Sequence, residues 1–133
     1  MDNPDDIVLG VDYTWANGPY DRNVLPLVQC DAPASQMFGG RTTSSLTSIG
    51  YDLHKTNISG EWIGLLKVNT QGAKIISDHM SHLEKTDIKS FKSMDMVDFL
   101  NSLKLSSVDI SVSYFPGKWL DVDNSSDLSR YNL

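Results

Sequence analysis

Apolar and polar residues are arranged along the first third of the chain in a way that predicts short β-strands. The run at 7–11 is apolar throughout and bounded by acidic residues, which is typical of a buried strand. A second run at 25–30 also predicts a strand, although Pro26 has no N–H group to give to a β-ladder. The stretch at 31–45 is rich in Gly, Ser and Thr and predicts a loop.

Two further strands are predicted toward the middle of the chain. Ile49, Tyr51 and Leu53 follow the period of two that indicates a strand with one buried face, and Gly50 among them suggests a β-bulge. The run at 61–68 (EWIGLLKV) predicts a longer strand.

Helical spacing follows this fourth strand. Asn69 or Thr70 offers an N-cap for a first helix, and a second helix is predicted to begin at Ser93. The residues predicted to face the core are Ala73, Ile76, Met80 and Leu83 on the first helix, and Met96, Phe99, Leu100 and Leu103 on the second.

The last part of the chain returns to a strand pattern and then to a helix. Apolar residues alternate with polar ones at Val108, Ile110, Val112 and Tyr114. Asn124 is the predicted N-cap of a final helix. Asp127 lies in the first turn of this helix, where a carboxylate interacts favourably with the helix dipole. The predicted fold class is α/β, a mixed sheet flanked by helices, in a single domain at 1–133.

Composition limits the classes of function. The 133 residues carry a net charge of −6, which argues against a nucleic-acid partner, since phosphates require clustered Lys and Arg. Cys30 is the one cysteine, which excludes an internal disulfide and favours a reducing compartment. No signal peptide and no apolar run of membrane-spanning length is visible, so a cytoplasmic location without membrane contact is predicted.

The segment GKWLDVDNSSDL (117–128) concentrates candidate chemistry. Asp121 and Asp123 lie two residues apart, so on an extended segment their side chains point the same way and can meet one hard cation. The same segment contains the apolar residues Trp119, Leu120 and Val122, which is unusual for a solvated surface. The alternative is an acidic loop followed by an ordinary helix start.

Three stretches in order resemble a known family: DDIVLGVDYTW (5–15), GEWIGLLKVNTQGA (60–73) and VDISVSYFPGKWLDVDNSSDL (108–128). They are similar to the C-terminal half of the small cytidylyltransferases that activate phosphocholine or aminoalkyl phosphonates, within the sugar-phosphate nucleotidyltransferase superfamily. Within that superfamily the chain resembles the nucleotidyltransferase region often fused to phosphoenolpyruvate mutase. The resemblance covers nearly the whole chain.

The resemblance implies roles for particular residues. Asp123 would bind a divalent metal, expected to be Mg²⁺, with Asp121 close by. Trp119 would line the pocket of the acceptor, and Glu61 would face the amine or hydroxyl end of that acceptor. Magnesium would neutralise the phosphate charge that develops during nucleotidyl transfer. Asp12 ends a buried strand, where α/β folds gather functional groups, and is a candidate ligand contact or a simple strand cap.

The chain departs from the family in its N-terminal part. The glycine-rich loop that wraps the triphosphate and the Gly-Asp pair that supplies the first metal carboxylate are not found in the sequence, which is expected to begin about where that half would end. The prediction is therefore an acceptor-binding module, not catalytic alone, for a small phosphorylated or amine-bearing ligand. Alternatives are one part of a split cytidylyltransferase completed by a partner chain, or a structural oligomerisation module. An exposed sheet edge would favour a homodimer or a complementing chain.

Other candidates have simpler explanations beside the functional ones. Trp15, Trp62 and Trp119 suggest an aromatic pocket for a quaternary amine, although tryptophans in a small chain are more often in the core. His79 and His82 form an HxxH pair with no cysteine partner motif, a weak zinc signal.

Overall fold

The computed structural model describes residues 5–17, 25–36, 43–53, 57–119, 122 and 125–130. Its strands are β1 (Ile7–Asp12), β2 (Leu27–Cys30), β3 (Ser44–Gly50), β4 (Gly60–Val68) and β5 (Ser111–Phe115). Its helices are α1 (Thr70–Thr86), α2 (Ile88–Ser93), α3 (Met96–Leu105) and α4 (Ser125–Arg130), with short 3₁₀ turns at Trp15–Asn17 and Ala34–Gln36.

The five strands close into a barrel in the order β1-β4-β2-β3-β5, with β5 returning to β1. β1 and β5 are parallel and the other four pairings are antiparallel. The predicted α/β class and the mixed strand directions are confirmed, but the prediction of a sheet flanked by helices is wrong. A closed barrel has no free sheet edge, so the exposed edge that favoured a homodimer is not present in this sheet. The homodimer itself stays a prediction.

The long strand β4 makes closure possible, because it pairs with β1 along its length and with β2 at its beginning. The pairing with β1 shifts register between Leu9 and Val11, opposite the part of β4 that contains Gly64. Gly64 has a φ of +81°, a left-handed conformation that glycine adopts without steric cost. The irregularity increases the local bend of the strand.

The core lies between the barrel and α3. Leu9, Val28, Leu46 and Val112 from the strands are fully buried. From α3, Val97, Phe99, Leu100 and Leu103 join the same cluster. The predicted core face of this helix is therefore confirmed except for Met96, which is 49% exposed.

The helix α1 begins where the sequence predicts, with Asn69 as its N-cap. The Asn69 side chain accepts a hydrogen bond from Gly72 N at 2.8 Å and donates one to Asp6 Oδ1 at 2.6 Å. Ile76 and Leu83 pack against the core as predicted, together with Ile75. Ala73 and Met80 are exposed instead. Gly72, the one buried residue of α1, packs against the backbone of Asp6 just before β1, and this contact sets which side of the helix faces inward.

Several element boundaries differ from the predictions, among them the starts of β2 at Leu27 and of β5 at Ser111. β3 ends at Gly50, so Tyr51 and Leu53 lie beyond it, and the bulge falls near Thr47, where the register with β2 shifts between Gln29 and Cys30. The helix predicted to begin at Ser93 is α3 and begins at Met96, after Asp95, which forms a capping box with Asp98. The short helix α2, which ends at Ser93, was not predicted. The final helix is confirmed, while its predicted cap Asn124 lies outside the described residues.

Candidate functional site

Asp12 is the last residue of β1 and is buried, with 6% of its surface exposed. Its Oδ1 accepts hydrogen bonds from Thr14 N at 2.8 Å and from Thr14 Oγ1 at 2.7 Å. Its Oδ2 accepts a hydrogen bond from the indole Nε1 of Trp119 at 2.7 Å. The backbone N–H of Gly117 lies near this carboxylate and favours its charged form. Asp12 thus joins the loop after β1 to the loop after β5.

These contacts determine the ionisation of Asp12. Burial removes water from the carboxylate and by itself raises the pKa, and it is the largest single influence. The hydrogen bonds from Thr14, Trp119 and Gly117 together outweigh it, so the pKa of Asp12 is lowered from its ordinary value of 3.8. The carboxylate is therefore the ionised acceptor of this cluster at neutral pH.

Glu61 lies beside Asp12 on the neighbouring strand. The two residues are direct partners in the antiparallel pairing of β1 with β4, which places their side chains on the same side of the sheet. Glu61 is 4% exposed. The strands approach closely here, since a Cβ on Gly60 would lie 2.6 Å from the carbonyl oxygen of Asp12 and would overlap Val11. Two buried carboxylate side chains thus share one end of the β1–β4 pair.

Trp119 reaches this place from the loop that follows β5. The loop turns back through Gly117 and Lys118, whose φ angles are +76° and +65°. A Cβ on Gly117 would lie 3.1 Å from Thr14 Oγ1, so glycine permits this close approach. The indole of Trp119 is half-buried.

The structure therefore brings together three predicted ligand residues, Asp12, Glu61 and Trp119, from three distant parts of the chain. Asp121 and Asp123, the predicted metal ligands, lie outside the described residues. Within the described ranges, no group of three or more His, Cys, Asp or Glu side chains could hold a metal ion. The magnesium site at Asp121 and Asp123 stays a prediction.

A groove runs beside the cluster. Its volume is about 390 Å³, and it is lined by Asp5, Val8, Gly10, Thr43, Leu65, Lys67, Ser113 and Phe115. Side chains alternate along a strand, so Val8 and Gly10 lie on the same side of β1 as Asp12. Phe115 is the parallel partner of Asp12, which places the end of the groove next to the cluster.

The other candidates occupy different places. Trp62 pairs with the core-facing Val11 and packs against the core, as its simpler interpretation predicted. Its Nε1 donates to Leu65 O at 3.0 Å. His79 contacts Ser102 at 2.8 Å and the ring of Phe99, so the described contacts of this histidine lie within the helical layer.

Cys30 is half-buried in β2 and borders a second cavity of about 480 Å³, lined by Gln29, Cys30, Pro33, Thr47, Asn57, Ile58 and Ser59. Burial raises the pKa of its thiol. Its predicted role as a strand residue is confirmed, although it is not fully buried.

Two site residues were missed from the sequence, Thr14 and Gly117. Thr14 stands two residues after a buried strand-end Asp, the spacing at which an Asx turn forms, and this was the available signal. Gly117 follows Pro116, which indicated only a turn.

Comparisons with known proteins give no further guide to the site. No protein-family model matches the chain, and no match was found among the curated proteins or among the solved structures. In the part of the chain that the structure describes, no helix is both long enough and apolar enough to cross a membrane.

Proposed function

We propose that this chain is a binding module for a small phosphorylated or amine-bearing ligand, similar to the acceptor-binding half of a cytidylyltransferase, and that it does not catalyse nucleotidyl transfer by itself. The observation that carries this proposal is the convergence of Asp12, Glu61 and Trp119. These residues are far apart in sequence; the family resemblance implies ligand contacts for Glu61 and Trp119, and the position of Asp12 at the end of a buried strand makes it a candidate.

The chemistry of the cluster supports such a ligand. A carboxylate in a site with little water attracts an ammonium group more strongly than one in bulk solvent, which suits Glu61 for the amine end. The face of an indole such as Trp119 adds a cation–π attraction for the same group. Magnesium held by Asp121 and Asp123 would supply the positive charge for a phosphate or phosphonate. The neighbouring groove has the volume range typical of small-molecule sites.

A second candidate is one component of a split cytidylyltransferase. Leu65 and Phe115 line the groove and are 59% and 39% exposed, which supports a complementing chain that covers them. A third, weaker candidate is a structural oligomerisation module, in which the same exposed residues would form the contact between copies of the chain.

Thermal unfolding with Mg²⁺ and a panel of probes tests the proposed function. The panel contains phosphocholine, 2-aminoethylphosphonate, sugar 1-phosphates and CTP. A ligand at a hundred times its Kd stabilises the native state by ~2.7 kcal/mol, so a true acceptor raises the unfolding midpoint. We expect an acceptor, but not CTP, to do so.

Variants then locate the binding. Glu61→Gln is expected to abolish the shift in unfolding midpoint given by an amine-bearing probe. Asp123→Ala is expected to abolish the part of that shift that depends on Mg²⁺. Glu84→Gln, the same change on the exposed surface of α1, is the matched control and should keep the shift. No shift with any probe would contradict the proposed function. Release of pyrophosphate from CTP only when a second chain is added would favour the split enzyme.

A further inference from the structure

The carboxylate of Asp12 is occupied by groups of the protein itself. An ionised carboxylate offers roughly four lone-pair positions to donors. Thr14 N, Thr14 Oγ1 and the Trp119 indole donate hydrogen bonds to Asp12, and the nearby Gly117 N–H also favours its charged form. The side chain is also 94% removed from solvent, since only 6% of it is exposed. Its hydrogen-bonding capacity is directed at the two loops and not at the space where a ligand would lie.

The loop after β5 has a backbone shape that needs such support. Gly117 and Lys118 are consecutive residues with positive φ, and the left-handed region is costly for a residue with a side chain such as lysine. Asp12 accepts a hydrogen bond from the Trp119 side chain directly after Lys118, and the Gly117 N–H directly before it favours the same charge. The buried carboxylate therefore supports this path of the loop.

We infer that Asp12 is a positioning residue: its carboxylate fixes the indole of Trp119 and the path of the chain at 117–119. Thr14 assists by donating two hydrogen bonds to Oδ1, which leaves Oδ2 directed at the indole. The further step, that this arrangement presents Trp119 to a ligand, rests on the proposed function. The contact between Asp12 and Trp119 is independent of it.

Indole N–H signals in ¹⁵N-labelled protein test the inference. The sequence has three tryptophans, and Trp119→Phe identifies the signal of Trp119 by its disappearance. In Asp12→Asn the indole loses its charged acceptor, so its proton signal should shift and its exchange with solvent should become about tenfold faster or more. Trp62 is an internal reference, because its Nε1 donates to Leu65 O and should be unaffected.

Asp31→Asn is the matched control. The Asp31 carboxylate also accepts from a backbone N–H and a hydroxyl, those of Ser45 and Ser44, but at the β2–β3 side of the barrel. This variant should leave the Trp119 signal in place. An unchanged Trp119 signal in Asp12→Asn would overturn the inference, as would an equal change in Asp31→Asn.

A reciprocal measurement covers the case in which Asp12→Asn does not fold. In Trp119→Phe the carboxylate of Asp12 loses one donor, so its pKa, followed by carboxyl ¹³C shifts, should rise toward the ordinary value; no rise would contradict the inference. The probe panel separates the two proposals. A wild-type protein that binds no probe but shows the expected indole behaviour retains the positioning role and loses the proposed function.

Discussion

The indole of Trp119 donates a hydrogen bond to Asp12 across a sequence separation of 107 residues, at a distance of 2.7 Å. This contact connects the end of the first strand to the loop after the last one. It also places Trp119 beside the strand pairing that carries Glu61. The candidate site is therefore assembled by barrel closure, because β1 lies between β4 and β5.

Acid should weaken the fold through Asp12. The folded-state pKa lies below the ordinary value of 3.8, so the unfolded chain binds more protons than the native one between the two pKa values. The contribution of Asp12 to the unfolding free energy is thus complete above pH 3.8 and is lost as pH falls through the folded pKa. Denaturant titrations from pH 6 to pH 2 should give a shallower pH dependence for Asp12→Asn than for wild type. The exposed Asp109→Asn is the control, and equal slopes for Asp12→Asn and wild type would contradict the expectation.

The protonation of His79 should lower stability at mildly acidic pH. Ser102 Oγ donates its proton to Phe99 O at 2.7 Å, so in the contact with His79 it is Nε2 that donates. Desolvation, with a smaller contribution from His82, lowers the pKa of His79 below 6.5. The unfolding free energy should therefore fall as pH drops through 6.5, since the unfolded chain takes up the proton first.

The measurement for His79 compares urea unfolding at several values between pH 7.5 and pH 5. His79→Gln should flatten the dependence on pH in this window. His82→Gln should move the His79 titration, followed by imidazole NMR signals, closer to 6.5. A His79 titration above 6.5 in wild type would show that the sign is wrong.

Gly72→Ala should destabilise the protein, although the same change inside a helix usually stabilises it by ~1 kcal/mol. A Cβ at this position would overlap the carbonyl of Asp6, against which the start of α1 packs. Overpacking of this kind costs about 1–3 kcal/mol. Chemical denaturation measures the change, with Ser81→Ala on the exposed face of α1 as the control. A stabilised Gly72→Ala would mean that α1 does not rest on Asp6 in solution.

Asn101→Asp should also lower the unfolding free energy. The Asn101 amide accepts from Ile49 N at 3.3 Å and donates to Ile49 O, so this side chain on α3 acts as a backbone partner for β3. An ionised Asp cannot donate, which leaves the Ile49 carbonyl unsatisfied at a cost of about 1–3 kcal/mol. The loss should be measured by denaturant unfolding at pH 7. The exposed Asn57→Asp is expected to be close to neutral, and a similar loss there would remove the specific explanation.

Local patterns in the sequence determined where most elements lie. The strands at 7–12 and 60–68, the Asn69 cap and the core face of α3 depend on residues a few positions apart, so periodicity and capping chemistry predict them. Exposure of Ala73 and Met80 was not predictable in this way, because the contact of Gly72 with Asp6 shifts the inward face of α1, which keeps Ile76 and Leu83 but leaves Ala73 and Met80 in solvent. The position of the β-bulge at Thr47 was not predictable for a similar reason, since the register of β3 is decided by its pairing with β2.

The sequence by itself determined the chemistry that was available: buried-strand acids at Asp12 and Glu61, and a tryptophan at 119. Only the tertiary structure decided that these groups meet, because their proximity depends on the pairing of β1 with both β4 and β5. It also decided that Asp12 accepts hydrogen bonds from both Thr14 and Trp119. Hydrogen bonds between residues up to 107 positions apart leave no trace in local periodicity, since they form only when the barrel has closed.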